Sequence, residues 1–461
     1  MINILFWNPY TLTENTEQKA QKKLKKYLHT KYRYNSHFTN YLDEQSIVFK
    51  MQDINYLLKF QKDLNKFDKK DYQKIYNNNL DKYLDSIIAR RRGWSSELKH
   101  FDIKIILKLQ ILAVENFFLK TNYTHMFGTP LLSSGFDILF FNMAKTFNIK
   151  TIYLQSYFRN KMFYSIEIAD FGTFNKSKKI FKKIEVQKDI LSEQKLHYHN
   201  ENLKLYLQSS FGIKILFFNP LKIFKQNYLI NKIKDFKYNL NTYKFWKQEN
   251  LRPFYSKKLP KNYIYLPLHF QAEATTIGLG IEHVNQVDMV EKLHNKLPEG
   301  FKIILKEHPA QHFDDILRSK FFYKRIKNLP NVYFTNVNDD SFDLIKNSKI
   351  VTTITGTAGW EALKFQKPVI TFGLAWYNSL DHVHKWNEKI NIKKIANTQF
   401  KIDNLKKSLI KLTKKMPDGL DTVNYWEMAD FTSNFKSEKF NYKKEIKIIG
   451  KSIHQIINHH R

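Results

Sequence analysis

The run Val351-Thr-Thr-Ile-Thr-Gly-Thr-Ala-Gly-Trp-Glu-Ala-Leu363, followed by Lys367-Pro-Val-Ile-Thr-Phe-Gly373, leaves few folds open to this chain. Its apolar segments are short and bounded by small residues, so they read as two buried strands with a helix between them. Two strands joined through a helix lie parallel in one sheet, because an antiparallel pair would need only a tight turn. The connecting turn, Thr355, Gly356, Thr357, Ala358 and Gly359, carries no bulky side chain. A helix start bared in this way is an anion site. Its first N–H groups have no partner within the helix, and the helix dipole adds positive potential at the same place.

The same alternation extends on either side of this run. Strands are expected at 263–266, 302–305, 332–335, 349–354 and 368–372, with helices at 284–296 and 341–347 between them. Nearer the amino end, residues 1–7 read as a first strand and 18–33 as a basic helix. Residues 53–78 look helical, and 103–120 has apolar residues at helical spacing. A strand at 123–127, a helix at 136–147 and a strand at 150–154 then make a second parallel unit. Residues 189–258 are dense in Lys, Asn and aromatics and read as helices plus a connection, closed by Arg252-Pro253 and Leu259-Pro260. Beyond 402 the chain reads as helical and basic. The expected fold class is therefore α/β. An acceptor-side domain with basic helical insertions spans 1–250, a Rossmann-like donor domain 251–400, and a basic helical tail 401–461.

Composition narrows the chemistry. At 461 residues, two domains are the natural division. The absence of cysteine excludes disulfides, thiolate catalysis and cysteine-ligated zinc. The formal net charge of +33 has two readings. Lys, Asn, Ile, Tyr and Phe are together abundant, as AT-rich coding favours, and a cationic surface also attracts an anionic membrane, a polyanionic substrate or nucleic acid. No apolar run is long enough to span a membrane. The nearest, from Phe211 to Tyr228, is interrupted by Lys214, Pro220, Lys222 and Lys225, and fits burial or an interfacial position.

Candidate site residues cluster where strands end. Lys306-Glu-His-Pro309 follows the 302–305 strand, and its proline holds the preceding residue extended, aiming the His308 imidazole off the strand. There it can donate to a phosphate oxygen and stabilise a leaving nucleotide, with Lys306 beside it. The exit of the 263–266 strand carries His269, Gln271, Glu273, Thr275 and Thr276. In an open α/β sheet such loops face the ligand crevice. His269 and Gln271 are expected at the nucleotide and Glu273 among the catalytic groups. Glu361 can favour the helix start or accept from ribose hydroxyls. Asp137 is either a helix-start carboxylate or the base that deprotonates an acceptor hydroxyl, with His125 and Glu167 as alternatives. The chain contains no Asp-x-Asp, no Gly-x-x-x-x-Gly-Lys loop, no Gly-x-Gly-x-x-Gly and no His-Glu-x-x-His. No metal and no cofactor beyond the nucleotide donor is expected.

Four segments together resemble the bacterial capsule polysaccharide biosynthesis family, which includes Kdo-transferring capsule proteins. They are Pro267-Leu-His-Phe-Gln-Ala-Glu-Ala-Thr-Thr276, Lys306-Glu-His-Pro309, Thr355-Gly-Thr-Ala-Gly-Trp-Glu-Ala362 and Lys367-Pro-Val-Ile-Thr-Phe-Gly-Leu-Ala-Trp-Tyr377. The resemblance covers about 263–378 and implies a GT-B-like fold, two domains facing a cleft. It also implies inverting transfer of a sugar from a nucleotide donor to a glycan or glycolipid acceptor of the cell surface. The His-Pro turn and the Thr-containing turn are also similar to those of GT-B sialyltransferases, which favours a CMP-sugar and puts His308, Thr355 and Thr357 at its phosphate. Kdo-transferring members carry an acidic pair in the first domain. Here the corresponding place reads Leu154-Gln155-Ser156-Tyr157, so the resemblance names no base. The expected enzyme is cytoplasmic, open to peripheral contact with the anionic inner membrane, with no specific nucleic-acid partner. Two alternatives are a CDP-polyol phosphotransferase of the teichoic-acid type and a non-enzymatic polyanion-binding protein.

Overall fold

The computed structural model of this chain describes residues 2–8, 14–40, 53–66, 100–128, 135–158, 161–167, 259–270, 274–280, 283–308, 318, 320–335, 339–418 and 442–460. The expectations placed on Gln271, Glu273, the 189–258 connection and the 211–228 stretch fall outside these residues.

Two α/β units are present, each built on its own mainly parallel sheet, as expected. In the first, the strands are β1 (Asn3–Asn8), β2 (Asn35–Asn40), β3 (His125–Gly128), β4 (Lys150–Phe158) and β5 (Lys161–Ser165). They lie in the order β2-β1-β3-β4-β5, parallel except for β5, which folds back antiparallel on β4. Helices α1 (Glu14–Tyr32), α2 (Ile54–Leu57), α3 (His100–Leu119) and α4 (Gly135–Thr146) accompany them. Side chains alternate across a strand, so one sheet feeds two cores. Leu5, Trp7, Met126 and Tyr153 face α3 and α4. Ile4, Phe6, Phe127, Ile152 and Leu154 face the opposite way.

The second sheet has six strands, β6 (Tyr263–Pro267), β7 (Lys302–Lys306), β8 (Val332–Phe334), β9 (Ile350–Thr353), β10 (Val369–Thr371) and β11 (Val383–Lys385). All pairings are parallel, in the order β11-β10-β9-β6-β7-β8. Renumbered from its own first strand, this is the 3-2-1-4-5-6 order of a dinucleotide-binding fold, and the order reverses between β6 and β9. The helices are α5 (Ala274–Leu279), α6 (Gln286–Asn295), α7 (Lys320–Lys327), α8 (Ser341–Asn347), α9 (Thr357–Lys364), α10 (Ile392–Asn397) and α11 (Ile402–Thr413). Tyr263, Tyr265, Ile304, Val351 and Val369 pack against α8, α9 and α11. Ile264, Leu266, Ile303, Leu305, Ile350 and Ile370 pack against α6, α7 and α10.

The helical segment expected beyond 401 divides between the two units. Helix α11 stays with the second sheet, where Leu405, Leu409 and Leu412 are buried. Helix α12 (Tyr442–His459) packs on the first sheet through Ile449, Ile453, Ile456 and Ile457. Its partner there is α1, with Tyr34 Oη 2.7 Å from His454 Nδ1 and the Tyr32 ring stacked on the His454 ring at 4.0 Å. Among the described residues no helix is long and apolar enough to cross a membrane.

Candidate functional site

The carboxyl ends of β7, β6 and β9 sit side by side, with β6 in the middle, at the point where strand order reverses. Three polar loops therefore leave the sheet together: 307–308 after β7, 268–270 after β6 and 354–356 after β9. Adjacent strands stand about 4.8 Å apart, so His308 and the 355–359 turn flank the β6 exit from its two sides.

His269 joins these loops. It is buried, and its Nε2 lies 2.9 Å from Thr353 Oγ1. The amides of Ile354 and Thr355 also point at Nε2, at 3.3 and 3.5 Å, and Gly356 N donates to Thr353 Oγ1 at 3.1 Å. With amides donating to it, Nε2 acts as the acceptor, so the Thr353 hydroxyl donates and the ring proton sits on Nδ1. The backbone of His269 is gripped as well. Its N–H donates to Gln286 Oε1 at 2.8 Å, and its carbonyl accepts from Gln286 Nε2 at 3.1 Å and from Arg318 at 2.5 Å. His269 was expected at the nucleotide. Its buried ring and occupied Nε2 make it instead the latch between β6 and β9.

That latch narrows the anion turn. The amides of Thr355 and Gly356 are turned inward, so the outward donors begin at Thr357, which is exposed, and Ala358, which is half-buried. Gly356 caps α9 with no side-chain hydrogen bond, leaving the first helical amides to water or a ligand. Both glycines are dictated by close approach. A Cβ on Gly356 would lie 2.8 Å from Thr353 Oγ1 and 3.1 Å from the His269 ring. One on Gly359 would lie 2.2 Å from Tyr377 Oη, and that hydroxyl donates to the Gly356 carbonyl at 2.5 Å.

His308 is exposed, two residues past β7, with its ring tilted against Phe270 at 5.8 Å between centroids. It leaves the same carboxyl end of the sheet as the turn, with β6 between them. Lys306, expected beside the phosphate, is buried, and its ammonium donates to Asp339 O at 2.6 Å and Ser341 Oγ at 2.7 Å. It is a strut between β7 and α8, because the last residue of a buried strand points into the layer.

Glu361, expected either at the helix start or at a ribose, lies in the second turn of α9. It is only 3% exposed, and its Oε1 has no hydrogen-bond partner among the described residues. Burial pushes its carboxyl above the ordinary range, while Lys364 and Lys306 pull it back. The same burial lowers Lys306 and raises Tyr265 and Tyr377, for which the Glu361 charge adds to the rise. The folded chain holds the Glu361 proton more tightly than the unfolded chain. Its contribution to stability is therefore present at low pH and is lost as pH rises from the ordinary 4.5 through the raised value. Glu361→Gln, which cannot ionise, is expected to flatten the decline of the thermal midpoint over that window. Equal slopes for the two proteins would refute the shift.

In the first unit, Asp137 is 1% exposed and accepts from Trp7 Nε1 at 2.8 Å. The expectation of an acceptor-facing base at 137 is corrected by that burial, since the carboxylate ties α4 to β1 inside the core. His125 is also buried, with Nδ1 2.9 Å from Thr124 Oγ1. Glu167 pairs with Lys145 at 2.7 Å on the surface.

Sequence reasoning missed a buried ion pair beneath the site. Glu307 receives Arg318 Nε at 3.1 Å to one carboxylate oxygen and 3.2 Å to the other, and Tyr323 Oη at 3.1 Å. With Arg318 also on the His269 carbonyl, one guanidinium ties the β7 exit to the β6 exit. The only signal was Glu307 itself, an acid inside an otherwise phosphate-friendly run.

Comparison with known proteins bears on this half of the chain. Residues 221–390 match the family model of capsule polysaccharide biosynthesis proteins. The matched segment is similar to those proteins over little more than a third of the chain. It contains β6 to β11 and every loop of the site just described. Protein FixF of Sinorhizobium fredii is 36% identical over 104 residues, which are 23% of this chain and 24% of that protein, so the chain spans about a quarter of the curated relative it matches. Among solved structures, the KpsC β-Kdo 2,7 transferase of Thermosulfurimonas dismutans aligns with 77% of this chain and 97% of its own, at 12% identity and a TM-score of 0.32. A UDP-GlcNAc 2-epimerase of Methanocaldococcus jannaschii, in complex with UDP-GlcNAc and UDP, covers 100% of both chains at 12% identity and a TM-score of 0.27.

Proposed function

We propose that this chain is a glycosyltransferase of surface-polysaccharide assembly that holds a nucleotide-activated sugar at the carboxyl edge of its second sheet. One observation carries the reading: His269 latches β6 to β9 where strand order reverses, and α9 starts without a side-chain cap at the same carboxyl end of the sheet as the exposed His308. Open α/β sheets bind their ligands in that crevice, and phosphates take the helix start. The capsule-synthesis domain match gives the chemistry its setting.

In this reading the amides of Thr357 and Ala358 hold the phosphate, and the exposed Thr357 hydroxyl lies beside them. His308 donates to the leaving phosphate oxygen as the sugar departs. A CMP-sugar is the favoured donor, on the likeness of the His-Pro and Thr-containing turns to those of sialyltransferases. Inversion, without a metal, then needs a base opposite the leaving group; the burial of Asp137 and His125 and the pairing of Glu167 with Lys145 count against all three.

The test is a thermal-shift panel of CMP, CDP, UDP and GDP. The leaving nucleotide is expected to stabilise the chain by about 2.7 kcal/mol at a hundredfold excess over its Kd. Gly356→Val forces the Thr353–His269 latch apart and is expected to weaken that nucleotide about tenfold or more, the worth of one charge-assisted hydrogen bond. No response to any nucleotide would overturn the proposal. Turnover of CDP-glycerol but of no nucleotide sugar would replace it with polyol-phosphate transfer.

A further inference from the structure

We infer that the outward face of α1 and α12 is a docking surface for the anionic headgroups of a phospholipid bilayer. The inference concerns the first unit and stands independently of the nucleotide site. The two helices lie side by side and run the same way. The Tyr27 ring lies against Gly450, where a Cβ would come within 2.5 Å of it, and Tyr32 and Tyr34 meet His454 one turn further on. Their apolar sides are spent on the first sheet, through Leu24 and Leu28 from α1 and Ile449, Ile453, Ile456 and Ile457 from α12. What remains outward is cationic. Lys22, Lys23, Lys25, Lys26 and Lys31, with Arg33 just past the helix, are exposed, and so are Lys444, Lys447 and Lys451.

This layer differs from the rest of a lysine-rich chain in that its few acids, Glu14, Glu17 and Glu445, all lie near the amino ends of the two helices. No Asp or Glu occurs between Ala20 and Arg33, nor between Ile446 and Arg461. Among the described residues, Lys22, Lys23, Lys25, Lys26, Lys31, Arg33, Lys447 and Lys451 form no ion pair. Two cations on basic helices of the second unit have acidic partners. Arg325 on α7 is held by Asp288 at 2.7 Å and Glu291 at 2.5 Å, and Lys406 on α11 faces Asp403 at 3.8 Å.

The chemistry of the face selects a lipid surface over a soluble polyanion. Only Arg33 offers the planar fork that recognises a particular phosphate or carboxylate, whereas lysines act as diffuse point charges on flexible stems. The rings a glycan or base would stack on are already engaged, Tyr27 edge-on to Tyr32 and Tyr32 on His454. Exposed ammonium groups on aliphatic stems over half-buried Leu24, Tyr27 and Tyr32 suit an interface where charge meets headgroups.

The test is co-sedimentation of the full chain with phosphatidylcholine vesicles and with mixed phosphatidylcholine–phosphatidylglycerol vesicles. Binding is expected only to the mixed vesicles, and salt should release it. The variant Lys22→Gln/Lys23→Gln/Lys25→Gln/Lys26→Gln should lose about 100-fold or more in partitioning, with an unchanged thermal midpoint because all four side chains are exposed. Lys393→Gln/Lys406→Gln/Lys407→Gln/Lys411→Gln removes the same charge from exposed positions of the second unit and should bind as wild type does. Equal losses in both variants would reduce the effect to bulk charge and overturn the inference. So would full binding by the α1 variant, no wild-type binding to mixed vesicles, or tighter binding of a soluble acidic polysaccharide at the same lysines.

Discussion

His308→Ala is expected to cut sugar transfer by roughly two to three orders of magnitude while the thermal midpoint stays where it was. The two halves of that expectation have separate causes. The side chain is exposed and touches the Phe270 ring at a tilt, so its removal opens no cavity in either core of the second unit. Under the proposed function, its place two residues beyond β7, at the carboxyl end of the sheet from which α9 also starts, aims a donor at the charge on a departing phosphate. Steady-state kinetics with the cognate donor would show the loss mainly in kcat, since the group acts most strongly in the transition state. Wild-type turnover in the variant would remove His308 from the reaction and leave it a partner of Phe270.

Arg318→Met should produce the largest loss of stability, about 3–5 kcal/mol in urea unfolding. The arginine side chain is fully buried and its partner Glu307 nearly so. Removing the guanidinium strands a carboxylate in the interior with Tyr323 as its one donor among the described residues, and takes a donor from the His269 carbonyl. The paired change Arg318→Met/Glu307→Gln removes both charges and should recover a good part of the loss. If instead the two changes added, the pair would not be interacting as its 3.1 Å contact implies.

The apolar strands of the second unit were readable because each is a short run with small or polar residues at both ends. The expected 302–305 and 349–354 differ from β7 and β9 by no more than a residue at any end. β11 was not readable. Val383-His-Lys385 is a three-residue edge strand with only partial burial, so it carries no pattern of its own and exists because β10 offers a free edge. β2, Asn35-Ser-His-Phe-Thr-Asn40, is equally polar and pairs along the whole length of β1. The candidate site was legible only as a set of neighbouring strand ends, because topology places those ends together. Its internal wiring was not. His269 meets Thr353 across 84 residues, and Glu307 meets Arg318 across 11 residues whose sequence shows no periodicity. Lys306 and Glu361 misled for the same reason. A polar residue in a sequence does not declare whether it points at the crevice or at another buried polar group.

The seat of α12 on the first sheet reorders how the molecule can be made. Ile4 and Phe6 are translated well over 400 residues ahead of Ile449, Ile453, Ile456 and Ile457, which belong to the layer that covers them. Vectorial synthesis normally lets the amino-terminal part settle before the remainder arrives. Here the six described strands of the second sheet precede α12 in the chain, so the second unit is expected to close before the first.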